Sequence, residues 1–178
     1  MASDKALLII DVQVDMFRES NPVAKGPELL ATIKGLIAKA RDSGVPVIYV
    51  KHSGSKRFLV EGTPGFEIHP EIAPIQGDLI VVKRTPCAFN GTNLKEELDR
   101  RGIRNLTITG IQSELCVDTT CRSAYNLGYR VVLVEDGHST FNTPDLPAEA
   151  ISRHHNRVLG SWFAEVMKAS DAAGQWGA

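Results

Sequence analysis

The chain has 178 residues, 43% of them hydrophobic and 23% charged, and a formal net charge of -1. A chain this long buries roughly 70% of the surface it exposes when unfolded, so residues 1–178 read as one domain with a core of its own. Near-neutral charge without a single-sign run argues against a nucleic-acid partner. No apolar run nears the ~18 to 20 residues of a membrane span. The opening Met1-Ala-Ser-Asp-Lys-Ala6 lacks a leader's basic-then-apolar pattern, so a cytoplasmic protein is expected.

From the amino end, residues 6–10 form a short branched apolar run closed by Asp11, the pattern of a strand buried on both faces. Leu29, Leu30, Ile33, Leu36, Ile37 and Ala40 recur at spacings of three and four, which is helical, and Ser43-Gly44 stops that helix. A second strand over 45–50 runs into Lys51-His52, and the Gly- and Pro-rich stretch 53–78 reads as a long loop. A third strand over 79–82 is closed by Lys83-Arg84, and Asn93-Leu-Lys-Glu96 is a capping start signal for a helix over 94–101. Strand 106–109 leads through 110–116 into a helix marked by Val117, Thr120, Cys121, Ala124 and Leu127. Strand 131–134 ends in Glu135-Asp136, and 170–178 reads as a loosely ordered tail.

Alternating strands and helices imply a parallel sheet with helices on both faces and a site beyond the carboxyl ends of its strands. Asp11, Lys51-His52, Lys83-Arg84, the 110–116 segment and Glu135-Asp136 fall there. Among them Cys116 precedes a helix, where unpaired N–H groups and the helix dipole lower a thiol pKa. The other reading is a small buried hydrophobe. Asp11 and Lys83 add a carboxylate able to carry a proton and an ammonium able to stabilise it, although strand ends also carry charges simply because they reach water. Three cysteines with no Cys-x-x-Cys pair support neither a disulfide framework nor a zinc ribbon. Cys87 and Cys121 read as packing residues.

Three blocks carry a family resemblance: Leu8-Ile-Ile-Asp11-Val-Gln13-Val-Asp15-Met-Phe17, Lys83-Arg-Thr-Pro-Cys-Ala-Phe89-Asn-Gly-Thr92-Asn-Leu94 and Gly110-Ile-Gln-Ser-Glu-Leu-Cys116-Val117. In order and spacing they resemble the signature blocks of the isochorismatase-like cysteine hydrolases. Val134-Glu-Asp136-Gly-His138-Ser-Thr140 extends the likeness. The resemblance implies a three-layer Rossmann-like α/β/α fold with a six-stranded parallel sheet of order 3-2-1-4-5-6, a helix over 148–158 and a last strand over 164–167. It implies a catalytic triad of Asp11, Lys83 and Cys116, a cis peptide between Ile111 and Gln112, and an oxyanion hole from the backbone N–H groups of Gln112 and Cys116. Gln112 stands where the family more often has a small residue, and Ser113 where it more often has threonine.

Nicotinamidases of that superfamily carry Asp-x-His after the second strand as metal ligands. Here the segment is Lys51-His52-Ser53, and His69 lies in a Pro-flanked loop, so neither metal nor cofactor is expected. His154 and His155 diverge by about 100° on a helix and read as solvent or interface residues. No glycine-rich dinucleotide fingerprint follows the first strand. Arg84 competes with Lys83 for the role of catalytic cation. Its planar guanidinium suits a substrate carboxylate better than a shared proton network. Phe17, His52, Arg84, Phe89, Gln112 and Leu115 are substrate-pocket candidates because they flank the triad in sequence.

The expected activity is hydrolysis of a carbon–nitrogen bond in a small amide, ureido or lactam-like substrate through a thioester. Two rivals are a vinyl-ether hydrolase acting on isochorismate, whose branch generally lacks the cysteine, and a catalytically silent binding or assembly module. Trp162, Phe163, Val166 and Met167 lie close together near the chain end and suggest a homo-oligomer.

Overall fold

Side chains along β1 (Lys5–Ile10) alternate between two cores: Leu7 and Ile9 enter one, and Ala6, Leu8 and Ile10 enter the other. This pleat, buried on both faces, explains an apolar run with no polar alternation. The computed structural model describes residues 3–55 and 57–177. Met1-Ala2, on which the leader reading partly rests, Lys56 of the long loop and Ala178 of the tail lie outside the described residues. The sheet comprises β1, β2 (Val47–His52), β3 (Leu79–Lys83), β4 (Asn105–Ile111), β5 (Arg130–Ser139) and β6 (Glu165–Met167), all parallel, in the order β3-β2-β1-β4-β5-β6. That is the expected order. It reverses between β1 and β4, whose carboxyl ends are level through the pairing of Ile10 with Gly110, and such a crevice is where doubly wound sheets hold ligands.

Helix α1 (Gly26–Asp42) packs Leu29, Leu30, Ile33, Leu36, Ile37 and Ala40 into one core, while α2 (Leu94–Arg100), α3 (Asp118–Asn126) and α4 (Ala148–Gly160) close the other with Leu94, Leu98, Cys121, Ala124 and Leu159. Asn93 makes no side-chain cap on α2. Thr92 does part of that work, its Oγ accepting from Leu94 N at 3.3 Å and donating to the Ala88 carbonyl at 2.6 Å.

Two expectations are corrected by long-range contacts. Strand β5 does not stop at 134: the register shifts opposite Thr109, between Ile108 and Gly110, and pairing resumes as Gly110 with His138 and Ile111 with Ser139. Exposed Glu135 and Asp136 occupy the irregularity, so a reading based on apolar runs ends too early. The tail is not loose either. It forms α5 (Ala169–Gly174), buries Ala172 and Trp176 in the α1-side core, and accepts a hydrogen bond from Lys5 Nζ at Gln175 O, 2.5 Å. The 53–78 stretch contains 3-10 turns at Pro64–Phe66 and Pro70–Ile72. It is tied to the segment after β1 by Val14 N to Glu67 O at 2.9 Å and His69 N to Val12 O at 3.0 Å.

Candidate active site

Three strand ends deliver three chemically distinct groups to one buried point. Asp11 follows β1 with φ 53°, a left-handed conformation that is costly outside glycine, by ~1–3 kcal/mol. Lys83 ends β3. Cys116 lies in the π-helical turn Ser113–Val117 that joins β4 to α3. Gly110 makes this convergence possible: its φ is 131°, and a Cβ there would strike the Ile10 backbone, so β1 and β4 approach this closely only with glycine. The Ile111–Gln112 peptide bond is cis.

Lys83 Nζ donates to Asp11 Oδ2 at 2.7 Å and to Cys116 Sγ at 3.2 Å, and it lies 2.9 Å from His52 Nδ1. Relative exposures of Asp11, Lys83 and Cys116 are 0%, 1% and 8%. An ammonium has three donors, and all three are used here. Burial, then the Lys83 charge, lowers the His52 imidazole to about 4, so at neutral pH its Nδ1 is free to accept. Gln13, fully buried, holds His52 in place: its Oε1 accepts from His52 N at 2.8 Å, and its Nε2 donates to the carbonyls of His52 at 3.1 Å and Phe66 at 2.8 Å. Sequence reading did not assign Gln13 a role. Its signal was an amide three residues past a strand end, flanked by Val12 and Val14.

Burial raises the Asp11 carboxyl above the usual carboxylate range, against the pull of Lys83. A raised carboxyl is the better proton acceptor. Its Oδ1 is buried without a hydrogen-bond partner, and a carboxylate oxygen of Asp11, a His52 ring nitrogen and Cys116 Sγ all lie within 4.8 Å of one another. The thiol does not follow the sequence expectation. Burial, with the Asp11 charge behind it, pushes Cys116 up to about 12. Cys116 is the fourth residue of a continuous helical segment that starts at Ser113, inside the fold, where desolvation outweighs the dipole. The resting group is therefore a thiol poised beside a base.

The other candidates disperse. Arg84 is 71% exposed and pairs with Glu61 at 2.7 Å, so Lys83 is the cation that meets Asp11. Phe89 stacks on Tyr129, ring centroids 5.7 Å apart, and packs against the core beneath α2 and α3. The hydrogen bond from Ala88 N to Thr120 Oγ1 at 3.1 Å draws its loop along α3. Phe17 lies against His69 at 4.6 Å and packs on the α1-side core. Gln112 builds the nucleophile turn with its carbonyl, which accepts from Leu115 N at 3.2 Å and Val117 N at 3.1 Å, and Leu115 is 46% exposed. His155 is not simply a solvent residue: its Nδ1 is 2.9 Å from Asp118 Oδ2, on a carboxylate that Arg122 Nε also holds at 2.6 Å. Cys87 is half-buried and donates to Ser123 Oγ at 3.1 Å, and Cys121 is buried. Asp11, His52 and Cys116 have the donor types for a metal. A cation bound to all three would coincide with Lys83 Nζ, which already stands 2.7 to 3.2 Å from each.

The sequence profile of the Isochorismatase domain matches residues 5–171. The chain belongs to the isochorismatase family. Family relatives include streptothricin hydrolase from Streptomyces noursei, 35% identical over 174 residues that cover 93% of this chain and 63% of the relative. The chain thus spans less than two thirds of that protein. Ureidoacrylate amidohydrolase from Agrobacterium fabrum is 29% identical over 203 aligned positions, covering 92% of this family member and 87% of the other. The crystal structure of an isochorismatase from Pseudomonas putida matches with a TM-score of 0.88 at 32% identity, covering 94% of this chain and 89% of that one. Among the described residues, no helix of this family member is long and apolar enough to cross a membrane.

Proposed function

We propose that this isochorismatase-family hydrolase is a cysteine amidohydrolase that cleaves a carbon–nitrogen bond of a small amide, ureido or lactam-like substrate through a thioester on Cys116. The observation that carries the reading is Lys83 Nζ, shared at 2.7 Å with Asp11 and at 3.2 Å with Cys116 in a buried site that Cys116 alone of the three opens slightly to solvent. Relatives named streptothricin hydrolase and ureidoacrylate amidohydrolase support the bond type. In the first step Asp11 Oδ1 takes the thiol proton as Sγ attacks the substrate carbonyl. The backbone N–H groups of Gln112 and Cys116 receive the oxyanion, the term that weighs most in such reactions. Protonated Asp11 then gives its proton to the leaving nitrogen, and the carbon–nitrogen bond breaks to leave the thioester. Water, losing a proton to Asp11, attacks that thioester, and the proton returns to Sγ as the acid departs. Lys83 compensates the carboxylate throughout, and no metal or cofactor takes part. Free thiols at all three cysteines suit a reducing cytoplasm.

A screen of small amides and ureides for ammonia or amine release tests this reading. Turnover should appear in the parent and vanish in Cys116→Ala and Cys116→Ser, both folded by circular dichroism. Activity in either variant within tenfold of the parent would eliminate covalent catalysis by Cys116.

A further inference from the structure

A chain of hydrogen bonds that starts in the core at Ser113 and His138 and runs out to the surface of α4 holds the nucleophile turn from behind. Ser113, the first residue of that turn and fully buried, has its Oγ 2.7 Å from His138 Nδ1 and 2.9 Å from Ser152 Oγ. His138 Nε2 is 2.7 Å from Asn156 Oδ1, and Asn156 Nδ2 donates to the Glu135 carbonyl at 3.4 Å. These partners fix the polarity of the chain. A carboxamide oxygen only accepts, so His138 carries its proton on Nε2. Nδ1 of the neutral ring then accepts from Ser113, which leaves the Ser113 oxygen to accept from Ser152. Burial works in the same direction, holding the His138 imidazole below its usual range and so neutral. Every link joins elements distant in sequence: the turn after β4, the carboxyl half of β5, and one face of α4.

We propose that His138, acting through Ser113, is a positioning residue that sets where Cys116 Sγ stands relative to Asp11 and where the N–H groups of Gln112 and Cys116 point. Of the residues between the two proposed oxyanion donors, Ser113 is fully buried and bonded to both β5 and α4, while Glu114 accepts from Thr140 Oγ1 at 2.8 Å. Without the Ser113 bonds the start of the turn keeps its backbone contacts, from Leu115 N and Val117 N to Gln112 O, and the bond that Thr140 Oγ1 donates to Glu114 Oε1 at 2.8 Å on the part-buried side of the turn. The inference rests on the hydrolase reading above for its catalytic consequence, though not for its geometric one.

Ser113→Ala, Ser113→Thr, His138→Ala and Asn156→Ala test it. Asn156 lines a cleft of about 850 Å3 with Ser152 and Lys168, so its truncation empties no core and keeps the test open if an inner variant fails to fold. With a substrate from the ammonia screen, kcat should fall at least tenfold in Ser113→Ala and His138→Ala, and about threefold in Asn156→Ala. KM should stay within twofold of the parent. Ser113→Thr, which keeps the hydroxyl, should restore kcat to within twofold. A second arm needs no substrate: alkylation of Cys116 by iodoacetamide, followed by mass spectrometry, should slow at least fivefold in the alanine variants at position 113 or 138 and not in Ser113→Thr. Unchanged kcat and unchanged alkylation in folded variants overturn the proposal, as does a rise in KM with kcat intact. Slowed alkylation in a protein whose parent hydrolyses no amide sinks the hydrolase reading and leaves the positioning role standing.

Discussion

At Cys116 a helix end and a lysine favour the thiolate while burial and a carboxylate oppose it. A helix N-terminus contributes ~0.3 to 1 kcal/mol, up to ~2 in partly buried geometries, whereas moving an ion out of water costs several kcal/mol. Burial wins, and the thiol rises to about 12. The same balance makes His52 a reporter. Its pKa lies near 4, below the ordinary imidazole value of about 6.5, so the folded state binds fewer protons than the unfolded one between those values, and stability must fall as pH drops through that window. Asp11, with its raised carboxyl, acts in the opposite sense. The comparison of parent with variant isolates His52: urea midpoints measured from pH 7 to pH 4 should fall less steeply in His52→Asn than in the parent. An identical slope in both would remove His52 from the account. Lys83 Nζ fills the space among the three donor types of a metal site, so treatment with a chelator should leave ammonia release unchanged. Loss of activity, restored by zinc, manganese or iron, would show the geometry misread.

Among the elements, the carboxyl-terminal segment departs furthest from its sequence reading. Residues after 169 carry little hydrophobic periodicity, yet α5 seats Ala172 and Trp176, 1% and 6% exposed, against the core beneath α1. Trp176→Ala should lower stability by about 3 kcal/mol, the lower end for a buried aromatic, read as a shifted urea midpoint with an unchanged slope. A shift below about 1 kcal/mol would mean that the segment adds little to the fold. Cys121, fully buried in the other core, offers a milder contrast. Cys121→Ala should cost about 1 kcal/mol and leave turnover intact, since the residue packs and does no chemistry. The segment after β2 illustrates the same dependence on partners. Asp15, 4% exposed, accepts from Leu59 N at 2.7 Å, and Gly65 passes so close to its carboxylate that no Cβ fits.

For the whole molecule, the apolar cluster expected near the chain end divides. Val166 packs in one core and Met167 in the other, Phe163 lies edge-on to Tyr125 at 5.6 Å and under Arg122, and Trp162 alone is 71% exposed. A tryptophan that exposed, next in sequence to the Phe163 that meets the 40% exposed Tyr125, is the residue type found at protein contacts, so a homo-oligomer is the expected state. Light scattering after size exclusion should give a multiple of 19.4 kDa, and Trp162→Ser should shift it downward. A parent mass of 19.4 kDa would reject the expectation. The sequence alone determined the alternation of strands and helices, the parallel character of the sheet and the residue types at its carboxyl edge, because hydrophobic period and strand ends are local properties; the strand order came from the family resemblance. Asp11, Lys83 and Cys116 were among those edge residues, and it was the resemblance of their three blocks to one family that grouped them as a triad. Tertiary structure alone decided that His52 completes the Lys83 shell, that Gln13 holds it, that Phe89 and Arg84 turn elsewhere, and that Ser113 is tied to His138 and α4. Each of these depends on contacts between segments tens of residues apart, whose distance is set by packing across the sheet and leaves no periodic trace in either segment.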